Sequence, residues 1–277
     1  MILKKVIDSL LALIIGLTAA YALVCLYAFV LGDYFLFASQ PSSYTLGPSY
    51  TVLTSGLGNK IPVLYLPNPT ARYTILYSHG NLEDLGFIRP RLESFRKHGY
   101  SVLGYDYPGF GCATGAKNEG GVFDAAEAAY NYLTQTLKIS PSRIILYGRS
   151  MGGGATAYLG ATHRAGGVVL HSTFVSAFRV QTGIRLLPWD RFENLKRIPQ
   201  IKAPLFFIHG LSDETIPAWH SRMMLAAAKS PAMSLLVPYA LHNNVMEIAR
   251  DDYWDSLTEF TALVDKTNQA ATIQSVQ

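Results

Sequence analysis

A serine at a predicted turn between a strand and a helix is the residue of this chain best suited to act as a nucleophile. Ser150 is the centre of the run Gly148-Arg149-Ser150-Met151-Gly152, between a β-branched, apolar run at 143–147 and a small-residue run at 153–159. Glycines two residues either side of the serine let strand and helix approach closely. A chance G-x-S-x-G match is common in glycine-rich chains, but it would rarely fall on a strand-turn-helix boundary.

A serine hydroxyl needs a base, and the base needs an acid to orient it. Of the seven histidines, His242 is the best candidate base, because it follows the predicted last strand at 234–237 and precedes a helical stretch. The acid is expected after another strand, between the serine and the histidine. Asp213 follows the strand-like run 204–210 and fits this position, with Glu214 as a weaker alternative. The competing interpretation makes Asp213 the N-cap of a helix that starts near Pro217.

Backbone N–H groups are expected to bind the oxyanion that forms during acyl transfer. One is predicted from Met151, at the start of the helix after Ser150. The other is predicted from Asn81, with Leu82 as the next choice, because the strand-like run 74–78 ends in His79-Gly80-Asn81. His79 is interpreted as a structural histidine that hydrogen-bonds the loop backbone.

These motifs resemble those of serine hydrolases of the α/β-hydrolase fold, in particular a small membrane-anchored branch that includes eukaryotic protein depalmitoylases and bacterial esterases. The likeness extends from about Tyr50 to Val264 and rests on runs in the order that the family has them: 79–81, 106–111, 148–153, 172–174, 209–213 with Pro217, and 242–243. The chain departs from the family at Ala240-Leu241, where glycine usually precedes the catalytic histidine, and in the loop 111–115. The resemblance implies fold and triad but does not specify the substrate.

Strand-like and helix-like stretches alternate along the chain, which predicts a mainly parallel eight-stranded sheet with helices on both faces. The expected strands lie near 50–53, 61–66, 74–78, 101–105, 143–147, 168–170, 205–209 and 234–237, with helices over stretches such as 84–98, 119–137 and 218–229. The hydrolase domain is assigned to 50–267, with a short lid at about 174–202, and a polar tail to 268–277.

The N-terminus contains 22 residues without a charge, from Leu10 to Leu31, after Lys4 and Lys5. At about 1.5 Å per residue such a helix spans a bilayer core of roughly 30 Å. It is longer than the apolar part of a cleaved signal peptide. We therefore predict a cytoplasmic tip and transmembrane anchor at 1–33 and a linker at 34–49. The two lysines favour a cytoplasmic N-terminus, with the catalytic domain on the other side of the membrane.

Composition argues against several other classes of protein. Charged residues make up only 15% and no basic run exceeds two residues, so the net charge of +4 does not predict nucleic-acid binding. Lid residues Arg185, Arg191, Lys196, Arg197 and Lys202 are interpreted as a solvated face, with attraction to anionic headgroups as the alternative. No metal or cofactor is expected. Cys25 and Cys112 cannot form a disulfide within the domain.

The sequence thus predicts a membrane-anchored serine hydrolase that cleaves an acyl ester or thioester, of a lipid or an acylated protein, through an acyl-enzyme on Ser150. A serine peptidase is the first alternative, in which Asp190 or Glu193 would hold a substrate amine. A non-catalytic binding protein of the same fold is the second. The acyl chain, the leaving group and the oligomeric state stay open.

Overall fold

The computed structural model describes residues 1–38 and 40–274, the last four of these through the backbone alone. It divides into two compact units, residues 1–38 and 39–277. The first unit is dominated by helix α1 (Ile2–Leu36), whose side chains are almost all exposed. Among the described residues, α1 is the helix long and apolar enough to cross a membrane. It continues three residues beyond the predicted end of the anchor, because Tyr34 to Leu36 remain helical.

The second unit is built on an eight-stranded sheet, which confirms the predicted strand count and fold class. The strands are β1 (Tyr50–Thr54), β2 (Lys60–Leu66), β3 (Thr74–Ser78), β4 (Ser101–Tyr105), β5 (Ile144–Arg149), β6 (Gly167–His171), β7 (Leu205–Gly210) and β8 (Ala232–Val237). Their order is β1-β2-β4-β3-β5-β6-β7-β8. The pairs β1·β2 and β2·β4 are antiparallel, and all others are parallel.

Helices connect the strands. They are α2 (Leu85–Lys97), α3 (Glu119–Asn131), α4 (Gly152–Thr162), α5 (Arg179–Thr182), α6 (Asn194–Arg197), α7 (Trp219–Ala227), α8 (Val245–Ala249) and α9 (Asp251–Gln274). Helix α3 continues as a π-helical turn, Tyr132–Thr136, and two short 3₁₀ turns cover Pro141–Arg143 and Ile198–Gln200. Helix α9 extends into the stretch predicted as a polar tail, of which residues 275–277 lie outside the described residues.

The central strands are buried on both sides. Every residue of β3, β4, β5, β6 and β7 is buried, as expected for parallel strands covered by helices on both faces. One face packs against α2, α8 and α9, where Phe95 and Phe260 belong to the core. Helix α4 packs against β5 and β6, and α3 packs against α4. The carboxyl ends of β3, β5, β7 and β8 therefore meet at one edge of the sheet.

Candidate active site

Ser150 lies on a sharp turn between β5 and α4. Its φ of 53° is in the left-handed region, which a non-glycine residue adopts only where the surroundings enforce it. Hydrogen bonds to the end of β6 and the residues after it hold the turn: Ser150 N–H donates to His171 O at 2.9 Å, and Thr173 Oγ1 donates to Ser150 O at 2.7 Å. A Cβ at Gly148 would approach Gly152 O to 2.5 Å, so glycine is required where strand and helix meet.

His242 and Asp213 complete a hydrogen-bonded chain with this serine. The loop after β8 places His242 Nε2 3.0 Å from Ser150 Oγ, and His242 Nδ1 lies 2.7 Å from Asp213 Oδ2, in the loop after β7. An ionised carboxylate only accepts, so Nδ1 carries the proton and Nε2 is free to take the serine proton. The structure thus brings together the three side chains predicted as a triad, in the geometry of a nucleophile, a base and an orienting acid.

The loop around Asp213 stabilises its negative charge. Burial opposes ionisation, but hydrogen bonds from His209, His242 and the backbone N–H of Ile216 outweigh it and hold the pKa of Asp213 well below its ordinary value. Oδ1 also accepts from Thr215 N–H at 3.0 Å. Helix α7 begins only at Trp219, so the alternative interpretation of Asp213 as the N-cap of this helix is wrong.

The two positions predicted to bind the oxyanion flank Ser150. Met151 directly precedes the first residue of α4, so its N–H belongs to the amino end of that helix. On the other side, the loop after β3 comes so close that a Cβ at Gly80 would lie 3.4 Å from Ser150 Cβ, and Asn81 is the next residue. The roles of Asn81 and Met151 as donors remain predictions.

The loop that carries Asn81 is fixed by buried polar contacts. His79 Nδ1 donates to Gly80 O at 2.8 Å, and its Nε2 lies 3.4 Å from Asp106 Oδ1. Tyr107 Oη donates to His79 O at 2.8 Å. His79 therefore bonds the loop backbone, as the sequence interpretation expected.

Sequence reasoning missed a buried charged cluster behind the triad. Arg149 Nη1 donates to Glu83 Oε1 at 2.9 Å, and Arg91 Nη1 donates to the same oxygen at 3.0 Å. Glu83 Oε2 accepts from Gly80 N–H at 2.7 Å. Arg149 Nη2 donates to His242 O at 3.0 Å and also bonds Asn243 Oδ1. The cluster therefore links three loops: the loop after β3 that contains Asn81, the serine turn and the histidine loop. One feature of the sequence could have indicated this cluster: Arg149 is a charged residue next to Ser150, at the end of an otherwise apolar strand.

The segment predicted as a lid packs onto α3 and α4. Phe192 is buried, and its ring occupies the space that a Cβ at Gly154 would need. Its backbone N–H donates to Glu119 Oε1 at 2.8 Å. The segment also carries the two carboxylates considered for amine binding. Asp190 Oδ1 accepts from the N–H groups of Phe178 and Arg191, and Glu193 forms ion pairs with Arg185 and Lys196.

Comparison with known proteins identifies the family. A family model described as serine aminopeptidase, S33, matches residues 69–193. Alpha/beta hydrolase domain-containing protein 17B of Homo sapiens is 33% identical over 196 residues, which cover 68% of this chain and 67% of that protein. This chain belongs to the α/β-hydrolase family. The match to Alpha/beta hydrolase domain-containing protein aho-3 of Caenorhabditis elegans, 34% identical over 182 residues, covers 65% of this chain but only 55% of that relative.

Solved structures support the same fold. An esterase of Pyrococcus furiosus superposes with a TM-score of 0.69 at 18% identity, over 81% of this chain and 97% of that one. At that identity the likeness shows the fold alone. The superposition confirms the α/β-hydrolase architecture, and the family membership supports the assignment as a hydrolase.

Proposed function

We propose that this hydrolase cleaves acyl esters or thioesters through an acyl-enzyme on Ser150. The observation that carries the proposal is the hydrogen-bonded chain from Ser150 Oγ through His242 to Asp213. His242 takes the serine proton as Oγ attacks the acyl carbonyl, and later delivers that proton to the leaving alcohol or thiol. Water, deprotonated by the same imidazole, then releases the acid. The N–H groups of Asn81 and Met151 stabilise the tetrahedral oxyanion.

An ester or thioester is favoured over a peptide by the state of the lid carboxylates. Asp190 accepts two backbone hydrogen bonds, and Glu193 is paired with two cations, so both groups already serve structural partners. An aminopeptidase would need a carboxylate free to hold the substrate amine. We therefore expect aminoacyl amides to be poor substrates in comparison with acyl esters.

The catalytic roles are tested with a fluorophosphonate probe, which reacts covalently with activated serines. The wild type is expected to be labelled, and Ser150→Ala is expected not to be. Ser212→Ala is the matched control, because Ser212 is an exposed serine in the Asp213 loop. Release of acid from nitrophenyl esters and acyl-thioesters is measured in parallel. Equal labelling of Ser150→Ala and wild type would refute the nucleophile, and labelling without any acyl release would indicate a binding protein.

Helix α1 is proposed to anchor the enzyme in a membrane as a single span, with residue 1 on the cytoplasmic side. At about 1.5 Å per residue its 35 residues exceed the roughly 30 Å of a bilayer core. Lys4 and Lys5 set the orientation. Alkaline extraction of membranes and the mass of the mature chain test the anchor: release into the supernatant, or loss of the first residues, would identify a signal sequence instead. Protease protection of intact vesicles tests the side on which the catalytic domain lies.

A further inference from the structure

A cavity of about 350 Å³ lies in the hydrolase unit beside the loop that carries Asn81. Leu82, Phe87 and Phe110 give it apolar walls. The remaining wall includes Gln40, Pro41 and Ser43, which belong to the segment 40–44, here called the strap. The strap starts four residues after the last residue of α1 and crosses the amino end of α2.

Ser43 and Tyr44 bond the strap to the rest of the hydrolase unit. Ser43 N–H donates to Asp84 Oδ2 at 2.7 Å, and Ser43 Oγ bonds Asp84 Oδ1. Tyr44 Oη donates to Asp106 Oδ2 at 2.6 Å. A Cβ at Gly86 would overlap Ser43 Oγ and lie 2.9 Å from Tyr44 Cβ, so glycine at this position of α2 lets the strap approach. Hydrogen bonds and close packing therefore hold the strap in place as a wall of the cavity.

The carboxylates in the cavity wall are already satisfied. Glu83 is paired with Arg91 and Arg149, and Asp84 caps α2 by accepting from Phe87 N–H at 2.9 Å while it holds Ser43. Apart from the amide of Gln40, what remains available to a ligand is mainly apolar, since Leu82 is 49% exposed and Phe87 is 61% exposed. The cavity wall lies close to the reaction centre: Glu83 lines the cavity and bonds Arg149, the residue before Ser150, and Leu82 directly follows Asn81.

We infer that this cavity binds the acyl chain of the substrate, with the strap as one wall. The inference rests on the proposed ester or thioester hydrolysis. Ligand pockets usually measure about 300–1,000 Å³, so this one is small. At about 30 Å³ per water-sized group, it holds roughly ten heavy atoms, which corresponds to a medium-length acyl chain. Chains longer than this would extend beyond Phe87 or the strap.

The test compares full-length enzymes in one nonionic detergent, with nitrophenyl esters from acetate to dodecanoate. Each methylene that binds in the cavity is expected to raise kcat/KM about fourfold, since a buried methylene contributes about 0.8 kcal/mol. The gain should stop near eight to ten carbons. Phe87→Ala removes an apolar wall and should lower the octanoate-to-acetate ratio of kcat/KM about tenfold. Leu57→Ala is the matched control, because Leu57 is an exposed apolar residue at the tip of the β1–β2 hairpin, and its ratio should equal that of the wild type.

A second variant tests the strap itself. Gly86→Ala improves the helix propensity of α2 but displaces Ser43, so the octanoate-to-acetate ratio should fall. The loss of thermal stability should be smaller than for overlap with a buried ring, because Ser43 is exposed and the strap can shift. Octyl acetate, which has its chain on the leaving group, should be no better than ethyl acetate. An unchanged octanoate-to-acetate ratio in both variants would overturn the assignment. So would a higher kcat/KM for octyl acetate than for ethyl acetate. Absence of any ester or thioester hydrolysis by wild type would instead refute the proposed function.

Discussion

Arg149 and Glu83 form a buried ion pair of 2.9 Å between the serine turn and the loop after β3. Each partner has a second task in the active site. Glu83 accepts from Gly80 N–H at 2.7 Å, next to the proposed oxyanion donor, while Arg149 donates to the carbonyl of His242 at 3.0 Å. The pair therefore fixes the spacing between the oxyanion loop, the nucleophile and the base, although neither side chain belongs to the triad.

Arg149→Met is expected to lower kcat for a short-chain ester about 10²-fold, because a displacement of about 1 Å between reacting groups costs that much. KM should change less than twofold, because no contact with the ester is removed. Arg149→Lys should give an intermediate kcat, since one ammonium cannot reproduce a planar fork that bonds three acceptors. Steady-state kinetics of the three proteins measure this. A wild-type kcat in Arg149→Met would show that the other contacts are enough to position His242.

Asp213→Asn is expected to reduce kcat about 10⁴-fold, because an amide can donate to Nδ1 and favour the wrong imidazole tautomer. Asp213→Glu is the control, because it keeps the carboxylate charge but places it one methylene further from the backbone. The rate of fluorophosphonate labelling provides an independent measurement, since it depends on activation of Ser150 and not on substrate binding. If Asp213→Asn were labelled as fast as the wild type, Glu214 would have to be considered as the orienting acid.

Stability is expected to fall at acid pH because of Glu83. Burial raises its pKa, but Arg149 and Arg91 outweigh burial and lower the pKa of Glu83 to about 2. A depressed pKa stabilises the fold above the ordinary value of about 4.3, and this contribution is lost as pH falls toward 2. It is on the order of 3 kcal/mol. Asp213 acts in the same direction. Thermal unfolding between pH 7 and pH 3 measures roughly half of this loss. Glu83→Gln should show a shallower dependence of stability on pH, and an unchanged dependence would show that Glu83 is not its source.

The positions of the triad residues could be predicted because each lies just after a strand in a parallel sheet. The carboxyl ends of parallel strands meet at one edge, so Ser150, Asp213 and His242 were expected near each other despite separations of 29 to 92 residues. Strand limits were also close, since β3 and β4 have the predicted bounds. Both predictions rest on a local pattern that recurs along the chain: a short apolar run that forms a strand, followed by a turn.

The charged cluster and the lid contacts could not be predicted in the same way. Glu83 and Arg149 are 66 residues apart and meet only because two loops turn toward each other, which no local pattern encodes. The same holds for Phe192, whose contact with Gly154 depends on how the segment after β6 folds back over α4. The strap was predicted as a linker, because a short polar segment contains no signal for the side chains that it will contact.

Gly154→Ala is expected to destabilise the domain, although alanine is the better helix former. The added methyl would overlap the Phe192 ring, and overpacking of this kind costs about 1–3 kcal/mol. Phe192→Leu in the same chain should relieve the overlap, so the double variant should be more stable than the sum of the single effects predicts, by about 0.5–3 kcal/mol. Denaturant unfolding of the four proteins in one detergent measures this coupling. Strictly additive effects would mean that the lid segment shifts away from α4 at little cost and that Phe192 does not hold it there.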